Sequence, residues 1–197
     1  MRKAPLTHNQ WVEKVFVGRP PSSRWIRENA LLPRKAEWLV TYPTRLFEKP
    51  EFLFNKYSYR QLRKGFWSLP NDWELSSAIW SRDLRWKLRK ACIRSMVPLF
   101  DKFFSRKPLG NTCHMWWDLL RYFGKDRDGR VVNEMFLALD QILLMDSFQC
   151  QLAALHGLGH LTHARKKGAI NRYLKTHPDL QPHIREYAFA AIKGRVL

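Results

Sequence analysis

Acidic residues are scarce in this 197-residue chain: 17 Asp and Glu stand against 35 Lys and Arg, a formal charge of +18. A surface so short of carboxylates repels itself and gathers polyanions, whether nucleic acid, anionic lipid or acidic protein. Cysteine is scarce too. Cys92, Cys113 and Cys150 are well separated, odd in number and free of C-x-x-C spacing, which argues against a disulfide framework and for reduced thiols. No stretch approaches the ~18 apolar residues of a membrane span; the longest apolar window, around Met135 to Met145, is broken by Asp140 and Gln141. The basic start Met1-Arg2-Lys3 is not followed by an apolar run of signal-peptide length, so a cytoplasmic protein is expected. Alternating strand patterns are missing as well, and apolar residues recur at helical spacing instead.

What is present suffices for a core. Hydrophobic residues make up 45% of the chain, with nine Trp and twelve Phe, and charged residues only 26%, which argues against wholesale disorder. The positive excess is uneven: residues 1–110 carry 23 basic and 9 acidic side chains, residues 111–197 only 12 and 8.

Along the chain, Thr7 is expected to cap a helix carrying Trp11, Val12, Val15 and Phe16. Ser23 is a candidate cap for the segment with Trp25 and Ile26, and Pro33, Pro43 and Pro50 divide residues 30–57 into short helices or turns. Residues 1–54 therefore read as a basic, proline-punctuated helical extension, flexible or extended in part. From Ser58 the pattern strengthens. Ser58 caps a helix with Leu62, Phe66 and Trp67 apolar; Asn71 or Asp72 opens another through Trp80; Asp83 opens a third, which Pro98 kinks or ends. Thr112 precedes a helix stopped by Gly124. Four helices follow, about 130–145, 148–163, 166–175 and 182–193, as two pairs with tight turns. Helix pairs of this kind predict an all-α fold, a right-handed HEAT-like stack of antiparallel pairs over residues 55–197.

The run Cys150-Gln151-Leu152-Ala153-Ala154-Leu155-His156-Gly157-Leu158-Gly159-His160, followed by Arg185-Glu186-Tyr187-Ala188, resembles the C-terminal signature of a bacterial family of HEAT-like helical-repeat proteins. Met115-Trp116-Trp117-Asp118 and Gly65-Phe66-Trp67-Ser68-Leu69 look like its upstream motifs. The resemblance implies stacked helices and a protein-binding style, sometimes with toxin-immunity partners; it implies no catalytic residue.

His156, His160 and His163 form the candidate metal set, because spacings of four and seven keep imidazoles near one helix face. No Glu fills the second position of H-E-x-x-H, so a metalloprotease base is missing. Gly157 and Gly159, each costing a helix about 1 kcal/mol relative to Ala, suggest instead a close neighbouring helix, with the histidines bonding backbone across the contact. Packing is the preferred reading, and no metal or cofactor is assigned. Trp116, Trp117 and Asp118 offer a stacking pair beside a carboxylate, but core packing with one half-exposed ring and Asp118 on a neighbouring arginine is the preferred reading. Cys113 and His114, ~100° apart on a helix, do not make a dyad. Asp140 and Asp146 need only capping or salt-bridging roles.

Basic helix faces are the better binding candidates. Arg82, Arg85 and Arg89 recur at i, i+3 and i+7, with Lys90 beside them and Trp86 interleaved; Arg60, Arg63 and Lys64 form a second stripe, and Arg165, Lys166 and Lys167 a third cluster at a helix start. Cations there oppose the helix dipole. Arginines with intervening Trp suit phosphate contacts and stacking. Two functions remain open: a non-catalytic scaffold holding an acidic protein, a toxin among them, or a DNA/RNA-binding protein without sequence specificity.

Overall fold

Thr7 and Ser58 each start a helix by the same device. The hydroxyl oxygen accepts from the backbone N–H three residues on, while Gln10 or Gln61 reaches back to the cap's own N–H, satisfying two donors that no helical carbonyl can reach. The computed structural model describes residues 6–18, 36–70, 72–120 and 128–196. Among them are twelve α-helices, one π-helical turn and no strand. In chain order the helices are α1 (His8–Phe16), α2 (Trp38–Glu48), α3 (Leu53–Lys56), α4 (Tyr59–Ser68), α5 (Leu75–Trp80) and α6 (Trp86–Leu99), which passes into the π-turn Phe100–Phe104. Then come α7 (Asn111–His114), α8 (Trp116–Leu119), α9 (Gly129–Leu143), α10 (Phe148–His160), α11 (Lys166–Thr176) and α12 (Pro182–Ile192). None is long and apolar enough to cross a membrane. The expected features at Ser23, Trp25, Ile26, Pro33, Asn71 and Gly124 lie outside the described residues.

The four C-terminal helices stand close to where helical spacing places them. Upstream, the helix expected after Thr112 is instead two short ones, α7 with Thr112 inside it and α8 from Trp116, and three further expectations are corrected. Pro43 does not divide its segment; it sits buried inside α2. A proline in a helix interior forfeits a hydrogen bond and costs about 3 kcal/mol, and burial of Leu39, Val40, Leu46 and Phe47 on the same helix offsets that. α5 begins at Leu75, after Glu74 adopts a left-handed conformation with φ 57°. α6 begins at Trp86 rather than Asp83, because Leu84 turns inward and its carbonyl accepts from the Arg89 side chain. Pro98 does end its helix within a residue: α6 stops at Leu99, and the Ser105 N–H reaches back five residues to the Phe100 carbonyl.

α6 lies between α2 and α9, α9 packs on α10, and α10 is flanked by α7, α8 and α12; α1 covers α4. Trp116 is an aromatic hub, its ring 5.6–6.2 Å from those of Phe47, Phe66 and Phe104. Phe66 in turn meets Phe16 of α1 at 5.2 Å, so α1 and α2 share one continuous core with the helices that follow.

Arg89 is buried in that core at 1% exposure. Its guanidinium donates to the carbonyls of Leu84 and Ile79 and to Asp128 Oδ2, and Asp128 also caps α9 by accepting from the Arg130 N–H. One carboxylate thus joins α6, the end of α5 and the start of α9. Arg130 foremost, with Arg89 behind it, holds the Asp128 carboxyl down to about 2. A folded-state pKa below the unfolded value of about 3.9 stabilises above that pH and is lost as pH falls toward 2. Asp128→Asn is therefore expected to lower stability near neutrality and to flatten the acid limb between about pH 4 and 2, read by urea denaturation across pH; an unchanged acid limb refutes the assignment.

Candidate functional site

On α4 the side chains at i, i+3, i+4 and i+7 share a face, and here those positions are Arg60, Arg63, Lys64 and Trp67. All four are exposed, Trp67 at 44%. They line a groove of about 460 Å³ whose other walls are Val15 of α1, Gly18 just beyond that helix, Asp72, and α7 at Asn111 and Thr112. α1 can lie against α4 because position 65 is glycine: a β-carbon there would stand 2.2 Å from the Phe16 ring. Among the described residues no ion pair engages Arg60, Arg63 or Lys64, and one carboxylate, Asp72, shares the groove. Trp67, expected on the apolar face with Leu62 and Phe66, instead completes the cationic one. Its spacing of seven from Arg60 is the signal that could have found it.

The stripe of Arg82, Arg85 and Arg89 does not form one continuous basic surface. Arg89 is buried and satisfied within the fold, so its candidacy as a binding residue is corrected. Arg85 makes a two-pronged pair with Glu37 at 2.6 and 2.8 Å. Lys90 shares Glu134 with Arg94, at 3.2 and 2.8 Å. Trp86 is half-buried against the guanidinium groups of Arg89 and Arg130, 5.3 and 5.0 Å from its ring; Arg82 is exposed. At the third cluster Arg165 lies 4.8 Å over Phe136 and bonds Asn133, Lys166 donates to the Gly159 carbonyl, and Lys167 is exposed.

Histidines converge where α7, α8, α10 and α12 meet. α10 is buried on nearly every side from Cys150 to Gly159. A β-carbon on Gly157 would stand 2.7 Å from Leu139 and 2.8 Å from Trp117, and one on Gly159 would stand 2.4 Å from Val196. The close approach expected from these glycines is therefore present. His156, fully buried, shares a 2.7 Å hydrogen bond through Nδ1 with the Tyr187 hydroxyl, whose pKa burial pushes up to about 12. The His114 ring lies 4.4 Å from that of His156, and burial lowers the pKa of His114. His160 stacks edge-on to His156 at 4.7 Å, and its Nε2 is 3.6 Å from Asp118 Oδ1. Asp118 thus meets a histidine, and both Trp116 and Trp117 are core. His163 is corrected out of the set: α10 ends at His160, and His163 stacks on Phe136 at 4.0 Å.

The cysteines are free and buried. Burial pushes the Cys92 thiol up to about 12, and Cys113 is also raised, first by its hydrogen bond with Cys150 and then by burial. Asp140 pairs with Arg172 at 2.7 Å, a salt-bridging role as expected.

The glycines give a prediction of opposite signs. Gly157→Ala should destabilise the fold by about 1–3 kcal/mol through overpacking, although alanine is the better helix former. Gly168→Ala in α11, where a β-carbon meets nothing within 4 Å, should stabilise by up to about 1 kcal/mol. Urea denaturation of both variants checks this; equal shifts would refute the close contact at Gly157.

Compared with known proteins, the chain matches no family model, no curated protein and no solved structure, so its own residues carry the functional reading.

Proposed function

We propose that this protein is a binding module for single-stranded nucleic acid, seated in the α4 groove on a HEAT-like stack of helix pairs. The observation that carries the reading is the shared face of Arg60, Arg63, Lys64 and Trp67 on a groove where Asp72 is the single carboxylate among the described residues. Cations there neutralise phosphates and release their counterions. An exposed indole among them offers a base a stacking surface, which a paired and stacked duplex base cannot use. The repeat scaffold is supported by the pairing of α9 with α10 and of α11 with α12. An acidic protein partner, including the toxin implied by the family resemblance, would use the same positive charge, but a cation face needs no exposed Trp to hold carboxylates.

Fluorescence anisotropy with a labelled oligothymidylate tests this. Binding is expected at about 50 mM salt, with log affinity falling linearly in log salt, and Lys64→Ala should reduce the slope by about 0.7. Trp67→Ala should weaken binding by about 1–3 kcal/mol, while Arg82→Ala, outside the groove, leaves it unchanged. Absence of binding at that salt, or full affinity in Trp67→Ala, overturns the nucleic-acid reading. Capture of an acidic protein in a complex that Arg63→Glu abolishes would replace it.

A further inference from the structure

We propose that Asp118, His156 and His160 form a binding site for a divalent transition-metal ion of the zinc type. Each offers one ligand atom, and the three atoms lie within 4.8 Å of one another. Two nitrogens and one carboxylate oxygen are the donor set that suits Zn²⁺. The set has a simple origin: positions i and i+4 on α10 put both imidazoles on one face, and α8, packed on that helix, delivers the carboxylate.

Distances and access agree with such a site. Ligand bonds of about 2.0–2.2 Å place tetrahedral donors about 3.5 Å apart. His160 Nε2 and Asp118 Oδ1 already stand at 3.6 Å, and both side chains are 21% exposed, while His156 stays fixed in the core. Tyr187 supplies the outer support that metal-bound histidines ordinarily have. With Nδ1 of His156 engaged by the Tyr187 hydroxyl, Nε2 is the nitrogen that ligates, and in the loaded site Nδ1–H donates to the phenol oxygen. His160 also lines an open cavity of about 580 Å³ bounded by Thr162, His163, Lys166 and Lys193. An ion held by three protein ligands would keep a fourth position open, the arrangement of zinc sites that exchange a water or bind a further ligand.

The test uses the full chain, stripped with chelator and titrated with Zn²⁺ against a chromophoric competitor, with Co²⁺ as a spectroscopic probe. One equivalent of Zn²⁺ per chain is expected, together with visible Co²⁺ bands of a low-coordinate site and a rise in melting temperature on adding Zn²⁺. His160→Ala and Asp118→Asn, at partly exposed positions, should keep the helical circular dichroism and lose at least tenfold in affinity. Tyr187→Phe should lose about 10–100-fold, and His163→Ala should bind as the parent does. Lack of stoichiometric binding, or parental affinity in both His160→Ala and Asp118→Asn, overturns the proposal and leaves the cluster as an ion pair beside a hydrogen-bonded core histidine.

Discussion

The close seating of α10 between α8, α9 and the C-terminal residues is the constraint on which the rest of the structure depends. Every residue from Ala153 to Gly159 on this helix is buried, and glycine at 157 and 159 is what admits Trp117, Leu139 and Val196 to within contact. Side chains on this helix have almost no freedom, so His156 is held against Tyr187 on one side and within reach of Asp118 and His160 on the other. A helix exposed on one face would leave these rings to choose among rotamers. Enclosure removes the choice, and the entropy of ordering them is lost in folding rather than at the moment of binding.

Charge is divided by a similar economy. Carboxylates are few, and several of them are committed to particular cations inside the fold or close to it. Asp128 is shared by Arg89 and Arg130, Glu134 by Lys90 and Arg94, Asp140 goes to Arg172 and Glu37 to Arg85. The buried members stabilise only because both partners are present: an unpaired guanidinium at the depth of Arg89 would be costly to desolvate. Among the described residues no ion pair engages the α4 face, so its potential is turned toward solvent. Net charge alone therefore misplaces the electropositive surface; what matters is which arginines have been answered by an acid.

Aromatic packing links the halves of the chain. Trp116 meets Phe47 from α2, Phe66 from α4 and Phe104 from the π-turn, which draws the proline-bearing N-terminal helices into the same core. Local rules penalise Pro43 in mid-helix, yet the apolar face around it is worth more than the hydrogen bond it forfeits. Tertiary burial outweighs local propensity there, as it does at Gly157 and Gly159.

Read alone, the sequence determined the all-helical class, the capped starts at Thr7 and Ser58, the four C-terminal helices and the tight approach at the glycines. These depend on spacing within one element, where side-chain periodicity is set by the backbone itself. It also placed Arg60, Arg63 and Lys64 on one face and put His156 beside His160. Only the tertiary structure decided that Arg89 points inward, that His163 leaves the cluster and that Asp118 joins it. Each of those outcomes turns on a partner 38 or more positions away in the chain or on where a helix ends against its neighbours, and no periodicity within a single helix carries that information.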